Sequence, residues 1–206
     1  MFHRSISALG ASVVLAAFLP AGASSQVRLI PQVGLYAPVS DVGEVEGVGG
    51  AVDIGKKEST LAYGGLVEFG NRDSRAAWRI GALYASESDV PVGGVGCAGC
   101  GPARSTVLVA AATVVLRPVS LVLVRPYLLG GVGAKRYDFS SDTGLDALDD
   151  GQTRLTGQLG LGTEVNLGVL RFIVELSDYI SSIEIEEESG DLQHDFFFTV
   201  GLVLGG

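Results

Sequence analysis

Histidine and cysteine are scarce in this chain, two of each in 206 residues, and there is one methionine and one tryptophan. His3 lies in the leader described below, so His194 is the only histidine in the remainder. There is no second cysteine pair and no histidine near Cys97 and Cys100, so a closed zinc site has no ligand set. Positive charge is also short: 14 Lys and Arg face 23 Asp and Glu, a formal net charge of −9. Phosphate backbones need a basic footprint, so no nucleic-acid partner is expected. Beyond the leader, Gly or a charge interrupts every apolar run before it reaches the roughly 20 residues of a spanning helix. The glycine runs lie within strand-like segments and are not followed by helical patterns, which removes a phosphate-cradling loop.

What is present points to a sheet. Thirty glycines beside 47% apolar residues suit strands that curve tightly and pack small side chains on one face. Residues 1–25 read as a secretory signal. Arg4 gives the positive start, residues 11–19 the apolar stretch, and Ala21-Gly22-Ala23 or Ala23-Ser24-Ser25 precedes the cleavage site. The apolar stretch is too short for a helical anchor, and no cysteine near the site would accept a lipid. Residues 26–206 are then expected to form one domain.

From Val27 onward the chain shows eight segments of period-two hydrophobicity. The gaps after odd segments are long, at about 37–59, 86–104, 138–152 and 182–193. Those after even segments are short, at about 70–77, 117–125 and 167–168. Long loops at one end and short turns at the other predict an all-β, eight-stranded antiparallel up-and-down transmembrane β-barrel of the bacterial outer membrane.

Residues 152–167 alternate most clearly. Leu155, Leu159, Leu161, Val165 and Leu167 share one face, and Arg154, Thr156, Gln158 and Glu164 share the other. A two-residue turn at Leu167-Gly168 would pair Val165 with Leu170, Thr163 with Phe172, Leu161 with Val174, Leu159 with Leu176 and Glu164 with Arg171. Around the turn at 71–75 the expected pairs are Phe69 with Trp78, Val67 with Ile80, Tyr63 with Tyr84 and Glu68 with Arg79. The two aromatic pairs would close an apolar band at its two ends, as interfacial girdles do. In the first segment Val27, Leu29, Val33 and Leu35 oppose Arg28, Gln32 and Gly34. In the last, Phe196, Phe198, Val200, Leu202 and Leu204 oppose Thr199 and Gly201. Segments 106–116 and 126–137 are apolar or small on both faces, so their parity stays open.

Eight strands enclose a space just wide enough for side chains. Glu68, Arg79, Arg154, Glu164, Arg171 and Glu175 are expected inside as ion pairs, because both signs are present and single-sign burial is prohibitive. That predicts a plugged barrel and no open pore. Asp178 is the exception: its parity is outward, near the outer rim, where a charge is cheap compared with the midplane, unless a local bulge turns it inward.

The stretch Pro126-Tyr127-Leu128-Leu129-Gly130-Gly131-Val132-Gly133 resembles a motif of small outer-membrane barrels, the outer-membrane-protein-A-like and opacity-protein-like group. Leu116-Arg117-Pro118 and Val174-Glu175-Leu176-Ser177-Asp178-Tyr179 are similar to that group too. The resemblance covers the whole chain after the leader, through loose motifs. It implies eight strands, variable surface loops, roles that are often structural or adhesive, and no shared catalytic residues. The group usually ends on an aromatic residue, whereas this chain ends Leu202-Val203-Leu204-Gly205-Gly206.

Three further features have a chemical reading. Cys97 and Cys100 sit in an exported loop, where a structural disulfide is favoured over free thiols, metal binding or redox chemistry. Acids crowd three of the long gaps: Asp41, Glu44, Glu46, Asp53 and Glu58, then Asp142, Asp146, Asp149 and Asp150, then Glu184, Glu186, Glu187, Glu188 and Asp191. They read as a solvated, repulsive surface. Alternatives are calcium binding, for which Asp142, Asp146, Asp149 and Asp150 offer oxygens at a spacing that fits no strict calcium loop, and docking to a basic partner. Ser181, Ser182, His194 and Asp195 hold the residue types of a lipid A-modifying hydrolase without its motif. The expected role is structural or surface interaction without catalysis or cofactor. Outer-membrane lipid is one partner; surface polysaccharide, divalent cations or extracellular protein would be met by the loops. The alternative is a small-molecule-binding barrel or narrow conduit for apolar solutes, which in a soluble barrel would need Phe69, Trp78, Leu161 and Phe172 inside.

Overall fold

The computed structural model describes residues 26–40, 43–47, 50–54, 58–71, 74–90, 92–94, 103–119, 121, 123–140, 152–182 and 192–205. The strands are β1 (Gln26–Pro38), β2 (Gly43–Gly47), β3 (Gly50–Ile54), β4 (Thr60–Gly70), β5 (Ala76–Val90), β6 (Val92–Gly94), β7 (Ala103–Leu116), β8 (Val124–Ser140), β9 (Gln152–Leu167), β10 (Leu170–Ser182) and β11 (Leu192–Leu202). Eight of them close an antiparallel barrel in the order β1-β11-β10-β9-β8-β7-β5-β4. The leader, Cys97 and Cys100, and the acidic runs at 142–150 and 184–191 lie outside the described residues.

The register fixes the barrel's shape. From Val27 the ladder runs through Phe69, Trp78, Val114, Gly130, Leu159, Asp178 and Phe196. It returns to β1 at Ala37, ten residues beyond its start. A stagger of that size in eight strands tilts them by roughly 40° from the axis. Closure gives each of these eight strands two neighbours, so the barrel has no open edge.

Side chains alternate as the sequence predicts. Outward-facing Val33 is 59% exposed and Leu155 87%, whereas inward-facing Arg28 is 1% exposed and Glu68 0%. The open parities resolve the same way: Val107, Val109 and Val115 fill the interior from β7, and Tyr127, Leu129, Lys135 and Tyr137 from β8. The expected pairs Phe69–Trp78, Val67–Ile80, Tyr63–Tyr84 and Glu68–Arg79 all form. The Tyr63 and Tyr84 rings stand 5.3 Å apart.

Two features differ from expectation. The β9–β10 hairpin is displaced by two residues, so Val165 faces Phe172, Leu161 faces Leu176, Glu164 faces Ile173 and Arg171 faces Asn166. The central turn pair is Gly168-Val169, because a tight hairpin needs positive φ at its first central position and Gly168 supplies it at +74°. Faces are unchanged, since a slip of two preserves parity. The second difference is that β2, β3 and β6, from gaps expected to be loops, form a separate three-stranded sheet. β5 also carries an irregularity between Ala85 and Ser88, a bulge that turns Ser88 inward against Ser105.

Candidate functional site

The interior is the most elaborated part of the barrel, and it divides into two plugs. The lower one lies at the short-turn end. Arg28 enters from the start of β1, Glu68 from the end of β4, Arg79 from the start of β5, and Arg117 from just past β7. Glu68 is fully buried and accepts from Arg28, from Arg79 Nε at 2.7 Å, and from Arg117 Nη2 at 2.7 and 2.8 Å. Arg28 Nη1 reaches Glu164 at 3.1 Å, and Arg79 Nη1 reaches Glu175 at 2.7 Å. The Tyr127 hydroxyl donates to the same Glu175 oxygen at 2.9 Å, and its ring lies under the Arg79 guanidinium at 4.6 Å. Tyr127 faces Gly162 across the β8–β9 ladder, and a Cβ there would overlap its ring. Three buried guanidinium groups thus meet three buried carboxylates, with half-buried Arg125 in register opposite Glu164, so each carboxylate has cationic company, as buried charge requires.

The upper plug lies toward the long loops. Asp195, 2% exposed, accepts from Lys135 Nζ at 2.5 Å, from Tyr36 Oη at 2.6 Å and from Tyr137 Oη. Lys135 also donates to the Tyr179 carbonyl at 3.2 Å. Phe197 packs between Tyr36 and Tyr179, with centroid distances of 5.1 and 5.3 Å. Between the plugs lies a cavity of about 20 Å³ lined by Gln32, Thr113, Gln158, Glu175 and Tyr179. That is room for about one water.

Of the six charged residues expected inside, Glu68, Arg79, Glu164 and Glu175 lie in the lower plug. Arg171 is half-buried and donates to the Gly205 carbonyl at 2.5 Å. Arg154 is half-buried opposite Lys135, toward the long-loop end. Nothing in the alternation assigns Arg117, Lys135, Tyr36, Tyr137 or Tyr179 to the interior, and Arg117 and Tyr179 enter only within the motifs that resemble small outer-membrane barrels. Arg28 was marked only by its parity. The residue types of a hydrolase do not converge: Asp195 and Ser181 point inward, whereas His194 points outward and bonds Asp178. The Ser182 side chain is outside the described residues. No group of three or more His, Cys, Asp or Glu that could hold a metal exists among the described residues.

The sequence matches no family model, and no curated relative matches it. Solved structures do match. Neisserial surface protein A superposes with a TM-score of 0.57 at 9% identity, over 87% of this chain and 97% of that one. OprG of Pseudomonas aeruginosa gives a TM-score of 0.47 at 14% identity, over 87% and 96%. The N-terminal barrel of OprF from the same organism gives 0.46 at 13%, over 86% and 97%. The chain has the fold of the small eight-stranded outer-membrane barrels, and its structural neighbours are bacterial outer-membrane proteins.

Proposed function

We propose that this protein is a closed outer-membrane anchor, exported by residues 1–25, that holds its long acidic loops at the cell surface for structural or interaction purposes. One observation carries the reading: the barrel is apolar outside and charged inside. Leu35, Leu61, Leu108, Leu128, Leu159 and Phe198 all point outward and are exposed. Water would penalise that surface, whereas a bilayer accepts it, provided that every backbone polar group is paired within a closed sheet. A soluble barrel would need the opposite polarity.

The interior argues against transport. Ligand pockets run to roughly 300 Å³ or more, and the chamber between the plugs holds about 20 Å³. No catalytic role is assigned. The lipid A profile of cells carrying His194→Ala should match wild type, and a changed profile would reopen the hydrolase reading.

The direct test is gel mobility of the protein from a purified outer-membrane fraction, boiled and unboiled. A faster unboiled band in that fraction is the expected result. A soluble periplasmic protein with no such shift would overturn the membrane reading.

A further inference from the structure

Among the described residues, a polar pair on the outer wall, Asp178 with His194, has no part in anchoring. Asp178 points outward from β10, with Leu176 and Ile180 two residues away on the same face. Leu159 and Phe196 stand directly across the two ladders beside it. The carboxylate therefore sits among apolar neighbours on a wall assigned to lipid. A charge on such a face costs free energy that rises with depth, and an ionisable side chain there calls for a named partner.

His194 of β11 is part of the answer. Its Nδ1 lies 2.7 Å from Asp178 Oδ2. A carboxylate only accepts, so Nδ1 carries a proton and donates it. The Ser40 hydroxyl accepts from the His194 backbone N–H at 3.1 Å, fixing the residue where β1 meets β11. The imidazole is 40% exposed and the Asp178 side chain 16%, so the ring roofs the acid and presents its other edge outward. Nε2 is the ring atom left for a ligand. With Nδ1 donating to Asp178, Nε2 is the acceptor edge of the ring, held in orientation by the carboxylate behind it, as carboxylates orient ligating histidines. The described residues supply no further ligands for a metal.

We propose that the His194–Asp178 pair is a lipid-headgroup site on the outer wall, taking an N–H or O–H donor of the headgroup at His194 Nε2. The site rests on the membrane reading above, since only in a bilayer does this wall meet headgroups. An acceptor edge backed by a carboxylate favours an ammonium or hydroxyl donor and disfavours bare phosphate. Two lipid sources share that chemistry: the ammonium of an ethanolamine phospholipid, and the amino or hydroxyl groups of an outer-leaflet glycolipid. A choline headgroup has neither donor and serves as the reference.

The full chain is refolded into bilayers of phosphatidylcholine doped with either phosphatidylethanolamine or lipopolysaccharide. Lipids retained after extraction are then counted by native mass spectrometry. Wild type should retain one of the doped lipids over phosphatidylcholine by about tenfold, the size of one charge-assisted hydrogen bond. Enrichment of phosphatidylethanolamine names the phospholipid as source, and enrichment of lipopolysaccharide alone names the glycolipid. His194→Phe and Asp178→Leu should each bring the ratio to about one while the barrel still folds, because both replacements suit a lipid face. No preference in wild type, or the same preference in His194→Phe, would overturn the site. Failure of the wild-type chain to insert into any bilayer would sink the membrane reading itself.

Discussion

Replacing Glu68 by glutamine removes one charge and almost no volume from the centre of the lower plug. Glu68 is fully buried and receives donors from Arg28, Arg79 and Arg117. Glutamine keeps a single acceptor oxygen and turns an NH₂ group toward three guanidinium groups. Two or more charge-assisted bonds are lost, and the positive charges in the plug outnumber the negative. Removing one partner of a buried ion pair costs about 3–5 kcal/mol. At about 2–4 °C per kcal/mol for a domain of this size, Tm should fall by about 6–20 °C. Equilibrium unfolding in urea from lipid vesicles measures the loss directly. A second substitution separates charge from packing. Arg117 is the least satisfied of the three cations, with Nε and Nη1 buried and unbonded. Glu68→Gln with Arg117→Met restores neutrality and should recover about half the loss or more. A Glu68→Gln barrel within about 1 kcal/mol of wild type, or a double variant weaker than the single, would refute the charge-matching argument.

Further consequences follow from the turn, the lipid face and the loop. Gly168→Val forces a branched side chain to φ +74° and should cost about 1–2 kcal/mol in the same titration. Leu161→Arg places a cation in the outward belt and should cost about 2–4 kcal/mol, whereas Leu121→Arg beside the short turn should cost about 0–1 kcal/mol. Cys97 and Cys100, if joined, should resist thiol alkylation in the exported protein until a reductant is added; immediate labelling would exclude the disulfide.

The legible parts of the fold are those where two independent signals coincide. In β4 and β5 the aromatic pairs fix the ends of the apolar face while Glu68 and Arg79 fix the other face, so only one register satisfies both. In β9 and β10 the run Leu167-Gly168-Val169-Leu170 holds one glycine among apolar residues, and two turn placements keep the same parity. Only the backbone demand for positive φ at Gly168 decides between them. β7 and β8 were ambiguous because a narrow barrel accepts small apolar side chains on both faces: Val107 and Val109 are inside while Leu108 is outside. Lys135 is hidden in that ambiguity, one of four charged residues in β8, with its partner Asp195 60 residues away. The β2-β3-β6 sheet was missed because its strands of five, five and three residues are too short to stand out as alternation inside acidic gaps.

The interior need not have been divided, and the division has a physical consequence. One continuous network would let a lost charge be shared along its length. Here the ion pairs among the described residues group into two sets, Arg28, Arg79 and Arg117 with Glu68, Glu164 and Glu175, and Lys135 with Asp195. A cavity lies between, so a charge lost from one set is felt first within that set. Asp195→Asn should therefore destabilise by about 3–5 kcal/mol, as Lys135 loses its ion pair and Tyr36 and Tyr137 compete for one acceptor oxygen. Its cost should add to that of Glu68→Gln within about 0.5 kcal/mol, as for sites without shared partners. On this division each plug is also expected to close the lumen by itself. Planar-bilayer conductance should thus stay at background in Asp195→Ala and in Glu68→Ala, and rise only when both plugs are removed. Conductance from either single variant would mean that the plugs act as one gate, and the protein would then have to be read as a channel held shut.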